Sequence, residues 1–178
     1  MNSKLAKQYL ITVFVMSVMQ TACSDKSDPL KTFQEIATPC ETALSSPRVA
    51  EIHQSNSVDY LQKDVFDPFQ VTYDVQRSAS LLSPYTSYIE IKYKSASILV
   101  KSQKEAEAAS FRDASVDSVY INRYLLSYAY QDNEWVLGSI QSGSRFQYHP
   151  DLKEVVVPLS IDTFIKEMPE ATACLPAK

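Results

Sequence analysis

The chain predicts an α+β domain, with N-terminal short helices packed on a curved antiparallel β-sheet behind a cleaved signal peptide. Three features point there. Asp28-Pro29 is a helix start, and Leu30, Phe33, Ile36 and Ala37 follow it at helical spacing. The period then drops to two, first over Phe69 to Gln76 and again over Ile89 to Lys94. Helices followed by consecutive antiparallel strands is the α+β order. No internal repeat, charge block or low-complexity segment divides the chain, so residues 29–178 read as one globular domain.

Taken in order, the first helix meets Pro39. Thr38-Pro39-Cys40-Glu41 has the form of a capping box, which predicts a break or kink and a restart. Ser46-Pro47 signals another short helix holding Val49 and Ile52, and residues 54–67 show no clear period. Phe69, Val71, Tyr73 and Val75 alternate with polar residues as in a half-buried strand. After a connection over Ser78 to Pro84, Ile89, Ile91 and Tyr93 do the same. Ile98-Leu99-Val100 prolongs that strand or begins another, and residues 101–111 suit a short surface helix or a solvated loop. Val119 to Tyr130 is a long β-type run with two apolar faces, which marks a central strand. Gln131-Asp132-Asn133-Glu134 turns it back into Trp135 to Ile140, a hairpin. Glu154 to Leu159 reads as a last strand, with Pro158 near its end or on an edge. Ile161 to Met168 reads as a short helix stopped by Pro169.

The start of the chain is an address. Lys4 and Lys7 precede an eleven-residue run, YLITVFVMSVM. A spanning helix needs about 20 apolar residues, so this short run after a basic start reads as a secretory signal. Gln20-Thr21-Ala22-Cys23 resembles the lipobox of bacterial lipoproteins, although Gln20 stands where that family carries an apolar residue. The resemblance implies a signal peptide over 1–22, diacylglycerol and fatty acylation at Cys23, and a polar tether over 23–28. It also implies attachment to the outer membrane facing the periplasm, because Ser24 rather than an aspartate follows the cysteine. Removing the first 22 residues takes two of the 17 basic residues and none of the 21 acidic ones, leaving 156 residues and a net charge of −6. That balance argues against nucleic acid and against an electrostatic grip on anionic lipid. With Cys23 acylated, two cysteines remain. In an oxidising compartment Cys40 and Cys174 are expected to pair.

The hairpin residues Tyr128, Tyr130, Trp135 and Leu137 make the region loosely similar to cystatin-like or NTF2-like cone domains. The resemblance implies the fold alone, since no catalytic Asp-His pair accompanies it. Eleven tyrosines and one tryptophan are many for a small domain. A tyrosine stripe lines a pocket, forms a binding face, or fills the inside of a bent sheet. Tyr124, Tyr128, Tyr130 and Trp135 are the candidate ligand-binding residues.

Chemistry is otherwise sparse. Only Gly138 and Gly143 are glycines, where an average chain carries roughly 12, so no glycine-rich dinucleotide loop can be written. The GSIQSG run at 138–143 lacks the Lys-Ser/Thr of a phosphate loop. His53 and His149 sit in no metal-binding spacing, and His53 with Glu51 and Asp59 reads as surface. Asp113 with Asp117, and Glu105 with Glu107, read as solvated carboxylates rather than acid-base pairs. The expectation is a non-enzymatic envelope lipoprotein without cofactor or metal. It would bind an envelope protein as an adaptor or as an inhibitor or immunity protein. The alternative is a pocket for a small apolar or aromatic ligand.

Overall fold

The computed structural model describes residues 28–56, 59–148 and 152–176. The signal peptide, Cys23, the tether up to residue 27, and His149 lie outside them. The protein is α+β, and its sheet is antiparallel and open.

Helix α1 (Pro29–Ala43) starts where the sequence signals it. Asp28 Oδ1 accepts from the Leu30 N–H at 3.0 Å, and Pro29 occupies the first turn. Phe33, Ala37 and Cys40 form its buried stripe. The expected break at Pro39 does not occur; the helix runs through it. Residues on both sides of Pro39 are packed in the core, so tertiary contacts override the local breaker. The short helix expected after Ser46-Pro47 is also absent, and strand β1 (Glu51–Gln54) covers part of that stretch.

Among the described residues six further strands follow: β2 (Leu61–Phe66), β3 (Gln70–Arg77), β4 (Tyr85–Val100), β5 (Val119–Gln131), β6 (Glu134–Phe146) and β7 (Val155–Leu159). The order is β1-β2-β4-β5-β6-β7, with β3 also on β4. Strand β2 pairs with the second half of the long β4 and β3 with its first half, so the two lie in tandem along one side of it. Strand β5 runs along the other side and is central, as expected. The β5–β6 turn has Asp132 at φ 50° and Asn133 at φ 68°. Both central residues are left-handed, which is the primed turn that matches strand twist. Strand β7 is an edge, where Pro158 leaves no interior hydrogen bond unmade.

Strand β2 falls in a stretch with no readable period, and the reason is Lys63. It occupies an inward position and is buried. Its Nζ donates to the carbonyls of Ala106 and Ala109, both at 2.6 Å, at the end of helix α2 (Gln103–Ala108). A buried ammonium serving as a helix C-terminal cap breaks the apolar alternation that would announce a strand.

The helices are not only N-terminal, and they do not all lie on one face. On the first face, Ile89, Ile91, Leu126, Tyr128 and Ile140 pack with α1, with helix α3 (Ile161–Glu167) and with the 3-10 turn Pro169–Cys174. The inward positions of β4 then change parity between Tyr93 and Ala96. Beyond that point Ala96, Val65 and Val119 form a second cluster with Phe111 and Ala114 on the opposite face. One sheet thus carries two cores, one on each side.

Cys40 and Cys174 are bonded across a sequence separation of 134 and are fully buried. Closing so long a loop is worth about 5 kcal/mol in the chain-entropy model. Replacing both cysteines by alanine should lower the urea midpoint by the equivalent of about 2–5 kcal/mol. An unmoved midpoint would show that α1 and the C-terminal turn hold together without the bond.

Candidate functional site

The four aromatic residues singled out in the sequence come together on one face of the β5–β6 hairpin, and all four are buried in the main core. Tyr130 lies directly opposite Trp135, with ring centroids 5.1 Å apart. Phe33 of α1 meets Tyr128 edge-on at 5.2 Å and Trp135 at 4.9 Å. Their polar atoms are spent inside the protein. Tyr128 donates to the Cys174 carbonyl at 2.6 Å, and Trp135 Nε1 donates to the Pro29 carbonyl at 3.1 Å. Burial pushes the Tyr128 phenol far above its ordinary value, so it stays a donor.

Tyr124 stands at the open end of this core. Its hydroxyl donates to Glu167 Oε2 at 3.0 Å, and its ring stacks on Tyr93 at 6.5 Å. Burial, then Tyr93, then Glu167 push its ionisation well above the phenol range. Burial likewise raises Tyr93. Arg48 closes this end, 3.7 Å from Glu170 and 4.7 Å above the Phe66 ring. Phenols held protonated beside carboxylates position one another; at neutral pH neither tyrosine is a base.

The first half of β4 and the second half of β5 present a different surface on the far side of the sheet. Alternation places Thr86, Tyr88, Glu90 and Lys92 opposite the buried Ser87, Ile89, Ile91 and Tyr93. The register sets Tyr88 beside Ser127, Glu90 beside Leu125, and Lys92 beside Arg123. A groove of about 430 Å³ opens here, lined by Gln76, Thr86, Tyr88, Glu90, Arg123 and Leu125 among others. A charged network borders it. Glu90 accepts from Lys92 and from Arg123 Nε, each at 2.6 Å, and Arg123 lies 3.9 Å from Glu154. Glu154 folds over Gly143, where a Cβ would collide with its carboxylate. A side chain at 143 would displace the Glu154 carboxylate from this position.

Sequence reasoning missed Arg48, Glu90, Arg123, Glu154 and Glu167. Glu90 and Arg123 were visible as polar members of alternating strands. Their meeting depends on the β4–β5 register, which no local pattern reports. The other motif residues have plain roles. The 138–143 run lies within β6, with no helix behind it. His53 is on the edge strand, 3.8 Å from Asp64. Asp113 accepts from the Ser110 N–H, which holds its carboxyl below the ordinary value, and Glu105 accepts from the Lys101 N–H. Among the described residues no group of three or more His, Cys, Asp or Glu could hold a metal, and no helix is long and apolar enough to cross a membrane.

Fold and site together define an α+β domain with one end of the sheet closed by helices on one face and open over a charged groove on the other. Comparisons with protein-family models, curated proteins and solved structures returned no match.

Burial alone would raise the Glu90 pKa. The hydrogen bonds from Lys92 and Arg123 outweigh it and hold the carboxyl below its ordinary 4.5. The stability this supplies is complete above the unfolded-chain value and is lost as pH falls through the lower folded value. Glu90→Gln should therefore be less stable than wild type at pH 7, with the gap closing below about pH 4. Denaturant melts of both proteins across pH 3–7 check this, and a gap that persists at pH 3 would assign the loss to packing.

Proposed function

We propose that this chain is an envelope lipoprotein acylated at Cys23, anchored in the outer membrane facing the periplasm, and that its domain binds another envelope protein. The observation that favours a partner is the open sheet face. Tyr88 and Leu125 line it, with the Glu90, Lys92, Arg123 and Glu154 network along one side. Aromatic area bordered by charge is the composition of an interface. On the other face the tyrosine row is packed and its hydroxyls at Tyr124 and Tyr128 are bonded internally, which favours a partner over a small ligand in that row. A net charge of −6 after residue 22 suits a basic target, as in an inhibitor or immunity role.

Crosslinking the tagged chain in intact envelopes should recover one stoichiometric protein. Tyr88→Ser with Leu125→Ser should lose it while keeping the native melting profile. Recovery of the chain alone would remove the partner reading and favour the pocket for a small apolar or aromatic ligand. Separately, Cys23→Ala should release the chain from the membrane fraction. Unchanged membrane association of that variant would sink the lipoprotein reading.

A further inference from the structure

The β3–β4 connection, residues 78–84, reads SASLLSP. Leu81 is 98% exposed and Leu82 is 85% exposed, more than any other large apolar residue described. Folding buries neither, yet the loop around them is built. Ser78 N–H donates to the Pro84 carbonyl at 2.9 Å, and Ser83 N–H donates to Ser80 Oγ at 3.2 Å. Gln131 Nε2 then donates to Ser83 Oγ at 2.9 Å, tying the loop to the β5–β6 turn. The two leucines are held outward by a hydrogen-bonded turn.

Their position supplies the occupant. Trp135 Nε1 donates to the carbonyl of Pro29, the first residue of α1. Trp135 pairs with Tyr130, and Tyr130 pairs with Tyr85, the first residue after the leucine loop and its Pro84. With strands about 4.8 Å apart, the loop and the start of α1 share one end of the sheet. Residues 23–28 between Cys23 and Pro29 span at most about 20 Å. An acyl anchor on Cys23 therefore holds this end of the sheet within about 20 Å of the bilayer, close enough to touch it.

We propose that Leu81 and Leu82 insert into the lipid surface beside the acyl anchor and fix the domain's orientation on the membrane. This rests on the reading that Cys23 is acylated. No charged residue lies within 78–84 to resist entry into the acyl boundary. Asp28, Asp132 and Glu134 stand at this end against Arg77 and Lys31, so it has no cationic excess to draw it to anionic lipid and the surface it fits is zwitterionic. Insertion places the sheet end at Val119 farthest from the lipid, the 13 residues of β5 away, or about 40 Å.

The test uses the full acylated chain with Leu82→Cys. With Cys23 acylated and Cys40 bonded to Cys174, the new thiol takes an environment-sensitive fluorophore alone. Val116→Cys, at the far end, is the control. In vesicles of phosphatidylcholine and phosphatidylethanolamine, the label at 82 should shift to the blue and be quenched several-fold by doxyl-lipid. The label at 116 should do neither. Adding Leu81→Asp to the Leu82→Cys chain should abolish the quenching. A membrane-bound chain whose label at 82 emits as in water overturns the proposal and leaves the anchor standing. A chain that does not stay with the vesicles overturns the anchor and the proposal with it. A blue shift without quenching marks contact between protein copies and overturns insertion.

Discussion

Two ends of the chain cover one face of the sheet, and the bond between Cys40 and Cys174 is the constraint on which that cover rests. Helix α1 has 15 residues and carries Pro39 inside it. Alone in water such a helix is marginal. Helix α3 has seven residues and leads into a six-residue 3-10 turn, which is weaker still. Each is stable only against the other and against the sheet. The bond joins them where both are fully buried, and Phe33, Phe164, Met168 and Ala171 pack around it. The β5–β6 hairpin then fastens each end by a hydrogen bond. Tyr128 holds the carbonyl of Cys174, and Trp135 holds the carbonyl of Pro29. The high tyrosine content follows from this arrangement. A ring that fills the core and a hydroxyl that pins an irregular backbone do two tasks at one position.

What the sequence shows and what it hides both have local causes. Strand β3 and the first half of β4 were legible because one face of each is buried and the other is wet, which is what period two records, and the β5–β6 hairpin was legible as a long β-type run ending in turn residues. The cysteine pairing was legible from the cysteine count together with the expectation of an oxidising compartment. Strand β2 was hidden because its inward position is Lys63, whose charge is satisfied by carbonyls 43 and 46 residues away in the chain. The continuation of α1 through Pro39 was hidden because core contacts on both sides of the proline decide it. The second core was hidden because the buried parity of β4 changes after Tyr93, and the two patterns cancel when the strand is read as one. Among the site residues, the tyrosine row was visible as a face, but whether a face is filled depends on helices distant in sequence. The Glu90–Arg123 contact needs the register.

The open face is stable without a partner because its charges answer one another. Glu90, with a side chain only 14% exposed, accepts from both Lys92 and Arg123, and Arg123 also faces Glu154. Such a network gains little from a further charge, and covering it costs desolvation that new pairings only partly return. In the proposed complex, affinity on this face would therefore come from Tyr88 and Leu125, which line the groove. In that proposed complex the network would contribute selectivity, since a partner that leaves Glu90 or Arg123 buried and unpaired binds poorly. Gly143 sharpens this by letting Glu154 lie flat against β6 instead of standing in the approach. A face built this way presents fixed charges around a small apolar target, which reduces the ordering needed on contact. The β3–β4 turn beside this groove is built in a similar way. There the Ser78–Pro84 turn fixes the backbone around two leucines that folding leaves in water, so the proposed insertion would bury them with little further ordering of the loop.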